Sequence, residues 1–264
     1  MFARLLLIGL VIATGIAVPR PTTPAEPLTM VFATVATSSP RLRLLEGQLA
    51  PERPGWFVEL SFRAAEMCNA RIDFAFMPWA RALKMVEQGH VAAAFNSSYK
   101  PDRAQYGAYP MKDGKPDERR ASKRYAYHAY IARDSVDAGL ANEGELTGRR
   151  IVVERQASIL PELKDRGAHV IEVANYLSML RAVAGGRVDA AVGIDHNLDA
   201  ILRRHPDLDA LVEKIQVPVK KSVGFVMFAK TFYADHAELV ECFWDRYAET
   251  RKSEWFRQMR ATYP

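Results

Sequence analysis

Two short stretches of this 264-residue chain combine side chains that could hold a small charged molecule. The first is Asn96-Ser97-Ser98-Tyr99-Lys100-Pro101-Asp102-Arg103, which brings hydroxyls and a guanidinium close together. An arginine fork grips a carboxylate through two parallel charge-assisted hydrogen bonds. The second is Gly193-Ile194-Asp195-His196-Asn197, whose carboxylate suits an ammonium group. Side by side, Ser97, Ser98, Arg103 and Asp195 would make a site for a small zwitterion or a polar anion. Arg103 falls in a loop, where arginines are mostly exposed, so its removal is expected to leave the fold little changed. Asp195, His196 and Asp199 also fit a simpler account, a helix start with aspartate in its first turn.

Each stretch ends the same kind of element. Gly89-His90-Val91-Ala92-Ala93-Ala94-Phe95 aligns with Gly186-Arg187-Val188-Asp189-Ala190-Ala191-Val192. Before the first glycine Trp79, Leu83 and Val86 recur at helical spacing after Pro78; before the second, Leu177, Leu180 and Ala184 do the same. Extended apolar segments, Ile72–Met77 and Val170–Val173, precede those helices. Strand, helix, glycine and buried strand make a βαβ unit, and such units build mostly parallel sheets covered by helices. Ligands bind at the carboxyl ends of strands in open α/β sheets, where both polar stretches fall. The chain therefore reads as an α/β protein of two similar lobes, each with its own mostly parallel sheet. The first opens with a strand Thr29–Ala36 and a helix Trp56–Ala70, the second with a strand around Arg149–Val153. Tyr125–Ala132 and Val223–Ala229 are the segments expected to cross between them. That sets lobe 1 at residues 28–124 and 228–264, and lobe 2 at 125–227. The basic stretch Met111–Arg124, which contains Lys123, reads as a solvated connection.

Composition narrows the class. Hydrophobic residues are 49% and charged ones 25%, which is ordinary globular usage. A formal net charge of +5 is too mild to argue for a nucleic-acid partner. Arg4, the apolar run Leu5–Val18 and the small residues beyond read as a cleavable signal peptide over residues 1–25. The run is shorter than the roughly 20 residues a membrane span needs. Cys68 and Cys242 lie on helical patterns and read as two inert core thiols, with a disulfide as the alternative. No G-x-S-x-G, H-E-x-x-H, P-loop or G-x-G-x-x-G occurs, and no histidines pair at i, i+4. These absences remove the usual serine-hydrolase, zinc-protease, nucleotide-hydrolase and dinucleotide readings, and no metal or cofactor is expected.

The block Met77–Pro110, with Pro-Trp-Ala-Arg-Ala-Leu, the glycine turn, Ser97-Ser98-Tyr99, Pro101-Asp102-Arg103 and Tyr109-Pro110, resembles the bacterial extracellular solute-binding proteins of family 3. These are the amino-acid-type periplasmic binding proteins of ABC importers, and Gly186–Ala191 resembles their matching second-lobe block. The resemblance implies the two-lobed type II periplasmic-binding-protein fold, with two hinge crossings and the ligand clamped between lobes. It implies a periplasmic monomer that hands an amino acid, or a related carboxylate or amine, to a membrane permease, with no catalysis. Arg103 looks like the family arginine on the ligand α-carboxylate, and Ser98 like the hydroxyl beside it. Ser158, in Arg155-Gln156-Ala157-Ser158, matches the second-lobe turn that faces the ligand, without the glycine usual there. Asp195 looks like the acid that takes the ammonium, although an ungapped match puts Ile194 at that position. Thr34–Pro40 lacks the usual aromatic wall, which leaves the ligand open. Two alternatives accompany this reading. One is a sensor that passes occupancy to a separate partner; the other is a dehydratase or lyase using Glu154 or Asp195 as acid or base.

Overall fold

The structure is a computed structural model that describes residues 26–135 and 145–263. The expected signal peptide lies outside the described residues, as does the middle of the loop expected between Asp134 and Gly148.

The first half begins with β1 (Leu28–Thr34), whose Met30, Phe32 and Ala33 are fully buried. Helix α1 (Trp56–Glu66) lays Phe57, Leu60 and Ala64 on it at helical spacing. Strand β2 (Ala70–Phe76), helix α2 (Trp79–Glu87) and strand β3 (Ala93–Ser98) complete the βαβ unit. Pro78 caps α2, and Gly89 turns the chain after it at φ +70°, a conformation glycine adopts without strain. Strand β4 (Lys123–Ala132) then leads into the second half. That half repeats the scheme with β5 (Arg150–Glu154), α3 (Leu160–Asp165), β6 (His169–Val173), α4 (Tyr176–Ala184), β7 (Ala190–Ile194) and α5 (Asp195–Leu202). Strand β8 (Lys220–Ala229) returns the chain to the first half, where α6 (Ala237–Thr250) and α7 (Glu254–Ala261) finish it.

The internal repeat is exact in its pairing. Strands β1 and β5 each lie between two parallel neighbours, and Phe32 pairs with Ala93 as Ile151 pairs with Ala190. An antiparallel strand flanks each unit: β8 beside β3, and β4 beside β7. Apolar side chains segregate accordingly. Phe32 meets the rings of Phe74, Phe95, Phe228 and Phe243 at centroid distances of 5.5–6.1 Å, tying β1, β2, β3, β8 and α6 into one core. Ile151, Val153 and Val192 centre one second-half core, and Leu180 and Leu198 belong to the other.

Four expectations need correction. The two sheets are not separate, because the crossing strands ladder with each other, Lys220–Gly224 against Lys123–Tyr127, in the order β6-β5-β7-β4-β8-β3-β1-β2. Phe225, Val226 and Met227, assigned above to lobe 2, pack in the first-half cores, so the return crossing comes before them. Cys68 and Cys242 are joined in a disulfide with Cα atoms 6.0 Å apart, and both are half-buried rather than deep in the core. Packing of α1 against α6 brings them together. Finally, Met111–Arg124 is more than a solvated link: Asp117 is buried, and Arg120 pairs with Glu241 and Asp245 of α6.

Candidate functional site

Between the halves lies a cavity of about 80 Å³. Thr34, Ser98, Glu154 and Ile194 line it, and these are the last residues of β1, β3, β5 and β7. Four strand ends thus converge on it from two βαβ units, as the position of ligands in α/β sheets anticipates.

Arg103 reaches the cavity from the short turn Arg103–Gln105 and is only 4% exposed, not the surface arginine expected. Its Nη2 donates to the Gln156 carbonyl across the cavity at 2.6 Å, and its Nη1 donates to the Ser98 carbonyl at 3.3 Å. The guanidinium sits 5.6 Å from the Trp79 ring centroid, so α2 supports it from behind. Ser97 is fully buried and does not line the cavity; its hydroxyl bonds with Tyr109 at 3.0 Å beneath Arg103. Ser98 and Ser158 do line it, and their hydroxyls meet at 3.1 Å across the two halves. Tyr125 and Tyr127 extend this hydroxyl network, to Ser98 and Ser158 respectively. Gln156 adopts φ +63°, the left-handed conformation for which glycine would be suited.

Asp195 is not brought into this group. It opens α5, and its Oδ1 accepts from the His196 amide at 2.7 Å and lies 3.1 Å from His196 Nδ1. Burial would raise its pKa, but these His196 hydrogen bonds outweigh burial and hold it below the usual carboxylate range. The cavity wall is made instead by its neighbours Ile194 and His196.

The only carboxyl lining the cavity among the described residues is Glu154, 7% exposed, which accepts from the Tyr176 hydroxyl at 2.7 Å. Burial pushes its pKa up to about 7, against the pull of Tyr176 and of the Arg103 and Lys123 charges. Lys123 stands at the start of β4 with Nζ 3.1 Å from His196 Nε2. Burial, helped by the Arg41 charge, lowers its pKa to about 7. Burial and Lys123 keep His196 well below its ordinary value, so the ring is neutral at pH 7. Its Nδ1 carries the proton towards Asp195, leaving Nε2 to accept from Lys123. Arg41 completes the wall; its guanidinium lies 5.5 Å from the Trp56 ring centroid.

Arg41, Lys123 and His196 were missed as site residues, and Glu154 was weighed only as an acid or base. Applying the strand-end rule to β5 would have marked Glu154. Lys123 was hidden in a basic run, and Arg41 carries no signal beyond its type. Aromatic walls exist, but Trp79, Tyr125 and Tyr127 supply them rather than the segment after β1. No cluster of three His, Cys, Asp or Glu able to hold a metal occurs among the described residues.

No protein-family profile matches the chain, and no curated protein does. Solved structures match it closely in shape. A histidine kinase sensor domain with similarity to periplasmic binding proteins superposes with a TM-score of 0.72 at 19% identity, covering 90% of this chain and 96% of that one. An ancestral arginine-binding protein bound to arginine gives 0.70 at 16% identity, over 90% of this chain and 99% of that one. The arginine-, lysine-, histidine-binding protein ArtJ from Geobacillus stearothermophilus gives 0.69 at 14% identity, over 89% and 94%. With its paired βαβ units and two crossing strands, the chain has the two-lobed fold of periplasmic binding proteins.

Proposed function

We propose that this protein is an exported solute-binding protein that captures a small carboxylate between its halves and delivers it to an ABC importer. One observation carries the reading: Arg103, buried, spans the cavity from β3 to the Gln156 carbonyl of the other half. A carboxylate arriving there would take the guanidinium fork, with the Ser98 and Ser158 hydroxyls beside it. Contacts from both halves favour a closed state, and a permease reads that state. The lobes on this reading are residues 28–124 with the chain after the return crossing, and the stretch between the crossings. The Cys68–Cys242 bond supports export, since such bonds persist in oxidising compartments. No helix among the described residues is long and apolar enough to cross a membrane. The likeness to a histidine kinase sensor domain favours ligand sensing as the second reading. In both, the ligand is bound and released unchanged.

The test is a thermal-shift screen of the mature protein against amino acids, polyamines and small carboxylates. A ligand at 100 times its dissociation constant adds about 2.7 kcal/mol of stability. Stabilisation by a carboxylate, with the ligand recovered intact, is the expected result. A screen in which no carboxylate stabilises the protein refutes the reading.

A further inference from the structure

The charges lining the cavity do not balance, even though the Asp195 carboxylate, outside the lining, also bears on Arg41 and Lys123. Arg41, Arg103 and Lys123 line it against the single carboxyl of Glu154. None of the three bases forms an ion pair with a carboxylate among the described residues. Arg103 donates to the Ser98 and Gln156 carbonyls, Lys123 meets a neutral histidine, and Arg41 Nη1 is buried with no hydrogen-bond partner. A guanidinium is a donor only, so a buried nitrogen without an acceptor is a cost that a bound anion would remove.

The bases also enter from different places. Arg103 comes from the turn after β3 and rests on Trp79. Arg41 comes from the segment after β1 and rests on Trp56, and its charge bears on Lys123 at the start of β4. We propose that Arg41 and Lys123 form a second anion subsite, so that the cavity takes a short dicarboxylate with its other acid group on Arg103. This rests on the reading of the cavity as a ligand site.

Size and approach agree with it. The cavity, about 80 Å³, has room for a small ligand rather than a bulky one. The neighbouring groove shares Ser39 with the cavity and is flanked by Arg43, Arg53, Arg203 and Arg204. None of those four forms an ion pair among the described residues. An approach of one sign raises the local concentration of an oppositely charged ligand.

The experiment is calorimetry on the mature protein with two matched pairs that differ only in a second carboxylate: succinate against butyrate, and aspartate against 2-aminobutyrate. At least one diacid is expected to bind about tenfold or more tightly than its partner. In Arg41→Gln and Lys123→Met, each checked for folding by its unliganded melt, that preference is expected to shrink while the monoacid is bound as before. Equal affinities within both pairs would overturn the second subsite, as would a preference unchanged in both variants. If a monoacid binds and Arg103→Ala abolishes its binding, the ligand-site reading stands even when the dicarboxylate proposal falls. If none of the four compounds binds, the dicarboxylate proposal falls; the broader screen then decides the reading beneath it.

Discussion

Truncating Arg103 to alanine perturbs the fold and the site together, and the two effects can be separated in advance. The Ser98 carbonyl keeps the Tyr109 hydroxyl at 3.0 Å, and the Ser97 hydroxyl keeps the same partner, so neither is stranded. The Gln156 carbonyl loses its 2.6 Å donor, and the guanidinium leaves the Trp79 ring. A buried acceptor left unmade costs about 1–3 kcal/mol. Gln156 sits at a half-open edge, which puts the expected loss in the lower part of that range. For a chain of this length about 1 kcal/mol corresponds to a fall in Tm of roughly 2–4 °C. Binding should suffer more. Hydrogen bonds to charged groups contribute about 1.5–3 kcal/mol, so carboxylate affinity should drop about tenfold to a hundredfold. Arg103→Lys should recover little of either, because one ammonium cannot span two carbonyls on opposite walls. Urea melts of the unliganded protein read the first effect, and calorimetry with the best carboxylate reads the second. An Arg103→Ala protein with the wild-type urea midpoint and wild-type affinity would refute both the bridge and the site.

Gln156→Gly should be neutral or stabilising by up to about 1 kcal/mol, since glycine accepts the left-handed φ without strain, and should bind ligand as before because the carbonyl is kept. Gln156→Val should cost about 1–3 kcal/mol in the same melts. Reducing the Cys68–Cys242 bond, or replacing Cys242 by serine, should lower stability by about 2–5 kcal/mol in denaturant titrations under oxidising and reducing conditions. Carboxylate affinity should fall between pH 6 and 8, by up to about tenfold for each of two groups with a pKa near 7. As pH rises through about 7, Lys123 loses its positive charge and Glu154 gains a negative one, while His196 stays neutral. An affinity that rises over this range would contradict the charge assignment of the cavity.

The paired βαβ units were legible because apolar spacing and terminal glycines repeat in both halves, down to the register of Ala93 and Ala190. As candidates, Ser98 and Arg103 were legible because strand ends are where an α/β sheet opens, whereas Ser158 was marked only by the family resemblance of its turn. Burial of Arg103 was not, since it depends on the Gln156 carbonyl arriving from the other half. Asp195 misled because a carboxylate beside a strand end satisfies the same residue-type argument whether it faces the cavity or its own helix. Lys123 misled in the opposite way: a basic run looks solvated until one member proves to start a crossing strand. The cysteines could not be paired from sequence, because proximity of α1 and α6 is a product of the finished core.

The route of the chain has a consequence for the order in which the molecule can assemble. Everything between the crossing strands is one contiguous stretch, with its β5, β6 and β7 strands and their helices all in it. The core around Phe32, by contrast, is open until Phe228 and Phe243 have been synthesised. The half that begins the chain is therefore the last that can close. Its contacts span most of the polypeptide, and pairing of that kind is slow to form. The bond from Cys68 to Cys242 belongs to that last step, because it can form only when α6 has docked on α1.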